Sequence, residues 1–283
     1  MYVYEPILIH AADISVFVVI LMYNHICIDF LSGLLLSLRF GLFKRHLQTD
    51  AKLRRLALKI LKYNVLFHCI PVTCYYLCSL LGWEPVWILT ATCMVLNCIS
   101  GIFHLLHFMD LLNIVSTYGR KTSNTGGALK LLSFAVTMSL YQFVIYLTIL
   151  LLDLLNYDRL YVPVILIKFG ILALYHSFYC YNNLWQYKKI EMHYRIDMHE
   201  KLWPFYLGYG TVASILYLHT SCPYVLAAYN VYMAVLVALP FLSEPRYPSR
   251  HHTLYPSINL TIFSHITDSI FALTRIVCHA ITD

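Results

Sequence analysis

Five stretches of the chain run for about a bilayer's width without Asp, Glu, Lys or Arg: residues 63–83, 85–109, 131–152, 169–187 and 202–243. A helix of about 20 apolar residues crosses the roughly 30 Å of hydrocarbon in a membrane. Several such runs in 283 residues leave little room for a water-exposed surface. Composition agrees: 60% of residues are hydrophobic and only 12% charged, against about 45–50% and about 25% in soluble domains. The runs lack the period-two alternation of a membrane β-barrel. The fold class is therefore all-α, a multi-pass transmembrane helical bundle with in-plane amphipathic helices.

Punctuation divides the chain into three parts. Residues 1–62 read as apolar and amphipathic helices at the membrane surface. Within them, 7–28 is interrupted by His10, Asp13, Asn24 and His25, and 30–43 is too short to cross, which suits an interfacial or re-entrant helix. The start lacks the basic region of a secretory signal. Residues 63–257 read as a six-span domain, with spans over 63–81, 86–106, 129–152 and 161–187, one starting at Trp203, and one over 224–241. Residues 258–283 carry a stripe of Ile258, Ile262, Ile266, Ile270, Leu273 and Val277, the pattern of an amphipathic helix. A second such pattern, Phe108, Leu111, Leu112 and Val115, lies opposite Asp110 and Asn113.

Charge sets the orientation. Net charge is +6, and eight of the twenty Lys and Arg residues fall between Arg39 and Lys62. Further basic residues sit at Arg120 and Lys121, at Lys188, Lys189, Arg195 and Lys201, and at Arg246 and Arg250. The intervening turns hold only Arg159. Excess Lys and Arg mark cytoplasmic loops, which places both ends in the cytoplasm. The Asn259 glycosylation sequon then lies on that side and stays unused.

The segment TDAKLRRLALKILKY opens with Thr49 or Asp50, either able to cap a helix. Leu53, Leu56, Ala57, Ile60 and Leu61 fall on one face. Arg54, Arg55, Lys59 and Lys62 supply the charge. Such a helix binds an anionic headgroup surface. No basic groove interleaved with aromatic residues points to nucleic acid.

Chemistry-bearing motifs are sparse. The nine cysteines form no CxxC, and most lie in apolar runs as small hydrophobes. One HxxH, His104 and His107, and the pair His251 and His252 fall short of a metal centre. In EMHYRIDMHE, His193 and His199 stand six apart and face different sides of a helix. Glu191 with Arg195, and Asp197 with Lys201, are i,i+4 pairs in the favourable order, the pattern of a solvated helix. Gly208 and Gly210 suit close helix packing better than phosphate binding. Asp13, Lys168 and Asp268 are ionisable groups in or near apolar runs, where such residues mark a polar path or a snorkelling end. No catalytic residue, cofactor or metal is expected.

From His176 to Gly210 the sequence reads HSFYCYNNLWQYKKIEMHYRIDMHEKLWPFYLGYG. It resembles the signature of the etoposide-induced, autophagy-associated transmembrane protein family, whose domain is shared with bacterial CysZ-type sulfate permeases. The resemblance rests on Tyr179-Cys180, on Ile190–His193 with Arg195, on Glu200, and on Trp203–Gly210. Asp110 with Gly119, Arg120 and Lys121, and the stretch around Arg275, extend it. The chain lacks the charged N-terminus and Pro/Ser-rich tail of some members, so it resembles most the ectopic P-granules autophagy branch. The resemblance implies a multi-pass endoplasmic reticulum protein needed for autophagosome maturation and degradation of aggregates, without catalytic residues. Its expected contact surfaces, with anionic lipid or with autophagy proteins at contact sites, are Arg54, Arg55, Lys59 and Lys62, and Lys188, Lys189, Glu191, His193 and Arg195. The alternatives are an anion permease using Lys168 and Arg275 as a polar path, and a metal-dependent lipid enzyme.

Overall fold

The computed structural model describes residues 5–80, 161–220, 222–243 and 255–259, with isolated helical positions between 107 and 154; side chains are described from Val19. All regular elements among these residues are helical. They are α1 (Glu5–Ser37), α2 (Phe40–Thr49), α3 (Ala51–Asn64), a π-turn (Val65–Cys69), α4 (Ile70–Leu80), α5 (Tyr161–Tyr187), α6 (Met192–Lys201), α7 (Trp203–Leu218) and α8 (Pro223–Leu242).

Three helical stretches are long and apolar enough to cross a membrane: Val19–Thr49, Tyr161–Tyr187 and Tyr224–Leu242. The chain is a helical membrane protein. α5 and α8 match two expected spans. The expected interfacial helix over 30–43 is corrected, because α1 continues without a break to Ser37. Isolated polar residues such as Asn24 and His25 dilute hydropathy without breaking a helix. A candidate span thus lies within the part expected at the surface. The break comes at Leu38–Arg39, where the Ser37 hydroxyl has already bonded back to the Leu34 carbonyl at 2.7 Å. The expected spans over 86–106 and most of 129–152 lie outside the described residues. So do the helix over 258–283 beyond Asn259, and Arg275.

Prolines shape the helices. A proline cannot donate its amide, and its ring presses on the carbonyl four residues earlier. Pro71 is the second residue of α4, just past the π-turn, where Ile70 N–H bonds to Val65 O, five residues back. Pro204 and Pro223 occupy first turns, where no amide donor is missed. Asp50 caps α3, its Oδ1 accepting from Lys52 N at 2.7 Å and Leu53 N at 3.2 Å.

The core is built around α7. Gly33 of α1 lies against the backbone of Phe205, and Gly208 lies against that of Phe30. Gly210 lies equally close to the Ala173 carbonyl of α5. A methyl group at any of the three would overlap backbone. In a bilayer, where lipid tails compete for apolar contact, such close approach is a main source of helix association. The expectation of close packing at Gly208 and Gly210 holds. Tyr181, Trp185, Tyr206 and Tyr209 fill the space beside these contacts; Tyr181 meets Tyr206 and Tyr209 edge to face, Trp185 meets Tyr206 the same way, and Tyr181 lies tilted against Trp185. The first half of α5 exposes Val162, Leu166 and Ile167, whereas Tyr175 to Phe178 and Cys180 to Trp185 are buried.

Candidate functional site

α5 ends in a built turn. Lys189 adopts φ 58°, the left-handed region. Its amide bonds to Gln186 O at 2.9 Å, and the Ile190 amide reaches Trp185 O at 3.0 Å. These two bonds close a Schellman motif with lysine where glycine is usual. Ile190 then packs on the core beside Trp185. The motif fixes the direction in which α6 leaves.

α6 is tied back onto α5 at two levels. Arg195 Nη1 donates to Asn182 Oδ1 at 2.8 Å, and Arg195 Nε donates to Ile190 O at 2.6 Å. One turn on, the His199 ring meets Ser177 Oγ at 3.0 Å. Ser177 gives its own hydrogen to Leu174 O, so the His199 Nε2 carries the proton. Among the described residues His199 Nδ1 has no hydrogen-bond partner. The ring stacks on Tyr206 and meets Phe178 edge on, and burial depresses its pKa to about 3.

The solvated-helix expectation for this segment is therefore corrected. Asp197 and Lys201 do pair, at 2.8 Å on the exposed side. Arg195 does not pair with Glu191. That residue is the N-cap of α6, with extended φ −66°, ψ 152°, so it lies off the helical face that the spacing assumed. Its carboxylate faces His193 instead, at 3.4 Å, both side chains being more than half exposed (65% and 74%). His193 and His199 point to different environments, as their spacing requires.

A second polar cluster lies among the spans. His176 of α5 is buried, its Nδ1 2.8 Å from Leu172 O and 3.0 Å from Ser214 Oγ of α7. The carbonyl can only accept, so Nδ1 carries the hydrogen and Nε2 accepts from the Tyr229 hydroxyl of α8 at 3.0 Å. One imidazole thus joins three helices. Sequence reasoning passed over His176, Ser214 and Tyr229, because a single polar residue in each of three distant apolar segments gives no local signal.

The remaining predicted residues are distributed more widely. Arg54, Arg55, Lys59 and Lys62 are exposed, while Leu53, Leu56 and Ile60 on the same helix are buried in the core. Leu61, expected on the apolar face, is exposed. Lys188 and Lys189 are exposed at the α5–α6 turn, and Lys168 is half-buried on α5. Residues 255–259 cross the α6–α7 joint: Trp203 Nε1 donates to Pro256 O at 3.1 Å, and Tyr255 donates to Asp29 Oδ2 at 2.6 Å. Among the described residues, no group of three or more His, Cys, Asp or Glu is placed to hold a metal.

No family model matches the chain, and no solved structure matches it. The uncharacterized protein L211 of Acanthamoeba polyphaga mimivirus is 41% identical over 243 residues, which cover 86% of this chain and 92% of the viral protein.

Proposed function

The chain belongs to the family of the mimivirus L211 protein, and we propose that it acts as a multi-pass endoplasmic reticulum membrane protein supporting autophagosome maturation through lipid and partner contacts, without catalysis. The observation that carries the contact mechanism is the division of α3. Leu53, Leu56 and Ile60 dock into the helical body, and Arg54, Arg55, Lys59 and Lys62 remain outside. The helix is thereby fixed at the foot of the spans with its cationic side free. Each such residue near an anionic leaflet contributes about 1 kcal/mol of attraction. The autophagy assignment rests on the resemblance of residues 176–210. In this reading the block serves as the packing junction that orients the bundle, and six spans complete the domain.

The contact mechanism is tested with the full chain in phosphatidylcholine nanodiscs, mixed with vesicles containing phosphatidylserine. Binding that falls with salt and with Arg54, Arg55, Lys59 and Lys62 all changed to Gln supports it. Equal binding by that variant at low salt removes it. The cellular role is tested by loss of the chain in cells that carry it, scored for unclosed autophagosomes and an endoplasmic reticulum marker. Normal autophagic flux sinks that assignment. Anion flux into proteoliposomes, sensitive to Lys168→Ala, would favour the permease reading instead.

A further inference from the structure

The exposed side of α3 does not end with α3. Asn64, Val65 and Ile70 all keep right-handed helical dihedrals, so α3, the π-turn and α4 form one helix from Ala51 to Leu80. Arg55, Lys59 and Lys62 recur every three or four residues on its exposed side. The same line continues as Leu66, Ile70, Leu77 and Leu80, also exposed. Thr73 lies on it too, and its hydroxyl donates to Cys69 O at 2.8 Å, which suits an apolar setting. Leu53, Leu56 and Ile60 turn the other way, into the core. One helix edge thus changes from cationic to apolar between Lys62 and Leu66.

The dimensions fit a bilayer. At 1.5 Å per residue, Lys62 and Leu80 stand about 27 Å apart along the axis. The hydrocarbon layer is roughly 30 Å thick, and each headgroup layer adds about 5–7 Å. With the apolar edge in hydrocarbon, Lys62 meets the headgroup boundary. Lys59, about 4–5 Å further along the axis, lies within the headgroup layer, whereas Arg55 and Arg54 lie about 10 Å and about 12 Å further, beyond it. Side chains tilt toward a helix's N-terminus, here away from the hydrocarbon. Arg55 does so, its Nε donating to Ala51 O at 3.3 Å. Charge selects the lipid: residues 51–80 contain five Lys or Arg and no Asp or Glu.

We propose that Lys59 and Lys62 hold the headgroup of an anionic phospholipid of the chain's own leaflet, its acyl chains lying along Leu66 and Ile70. The proposal rests on the anionic-leaflet reading of α3 and divides that helix's cations. Lys59 and Lys62 engage the membrane that holds the chain, and Arg54 and Arg55 stand clear of it, free for a second membrane.

The test uses the full chain in nanodiscs of phosphatidylcholine with a minor share of phosphatidylserine. A photoreactive benzophenone side chain replaces Leu66, Leu77 or Ala51, and lipid adducts are identified by mass spectrometry. Leu66 and Leu77 are expected to form lipid adducts and Ala51 to form none. At Leu66, phosphatidylserine is expected in the adducts at least about threefold above its share of the disc. Lys59→Gln with Lys62→Gln should return it to that share, and Arg54→Gln with Arg55→Gln should leave it enriched. If the lysine variant does not fold, raised salt replaces it, and enrichment should fall as charges are screened. No lipid adduct at Leu66, an equal adduct at Ala51, or enrichment that is absent or indifferent to both lysines and salt overturns the proposal. Enrichment at Leu66 without any capture of anionic vesicles supports this assignment and fails the second-membrane contact, which keeps the two readings apart.

Discussion

Tyr209 donates its hydroxyl hydrogen to the carbonyl of Leu236, across the α7–α8 interface. Pro240 explains why that oxygen needs an outside donor. The amide that would bond to Leu236 in a regular helix belongs to residue 240, and proline has none. A buried tyrosine needs a partner for its hydroxyl, and a proline-broken helix in an apolar setting needs a donor for its carbonyl. Each defect here supplies the remedy for the other.

Tyr209→Phe is therefore expected to destabilise the protein by about 1–2 kcal/mol, the cost of a buried carbonyl left unpaired. Pro240→Ala restores the amide, so Tyr209→Phe should cost less in that background. Unfolding in mild detergent of the two single variants and the double variant reads the coupling. Strict additivity would show that the hydroxyl and the proline act independently.

The contact of Gly208 with the Phe30 backbone sets a limit on side-chain size. Gly208→Ala is expected to force α1 and α7 apart, at about 1–3 kcal/mol or more. Gly41 provides the control. A Cβ there meets nothing within 4 Å, so Gly41→Ala in α2 should be neutral or mildly stabilising. Thermal unfolding of the two variants tests the contrast, and equal effects would argue against close α1–α7 packing.

Much of this architecture is legible along the chain. Charge-free apolar runs mark α8 and all of α5 after Lys168, Asp50 marks the start of α3, and Trp203-Pro204 marks the start of α7. These are local signals, carried by one segment at a time. The junction is legible only in part, for two physical reasons. Counting Glu191 and Arg195 as an i,i+4 pair assumes both lie on the helix, but α6 starts one residue after Glu191. A dense run of charge reads as solvated, yet Arg195 and His199, one turn apart, turn toward Asn182 and Ser177. Which face of a short polar helix docks depends on a partner helix, and that information lies in α5.

Lys189 offers a prediction of opposite sign. A side chain at φ 58° is strained by its Cβ, by about 1–2 kcal/mol. Glycine removes the strain and keeps both turn hydrogen bonds, at some cost in unfolded-state entropy. Lys189→Gly is expected to stabilise the chain by about 0.5–1 kcal/mol, whereas Lys189→Val should destabilise it. Denaturant titration of both variants decides; stabilisation by valine would mean that the turn is not left-handed.

His199 should give the protein an acid-sensitive stability. Burial among Phe178 and Tyr206 lowers its pKa from an ordinary 6.5 to about 3. The unfolded chain then binds a proton that the folded chain refuses between those two values. Stability from this residue is complete above about pH 6.5 and declines as pH falls toward 3, with a slope of up to about 1.4 kcal/mol per pH unit. His199→Asn removes the titrating group while leaving a polar side chain beside Ser177. The variant is expected to be less stable at neutral pH but to lose less stability between pH 6 and pH 4. Unfolding midpoints measured across that range for both proteins provide the check. Parallel pH profiles would place the acid sensitivity in another group.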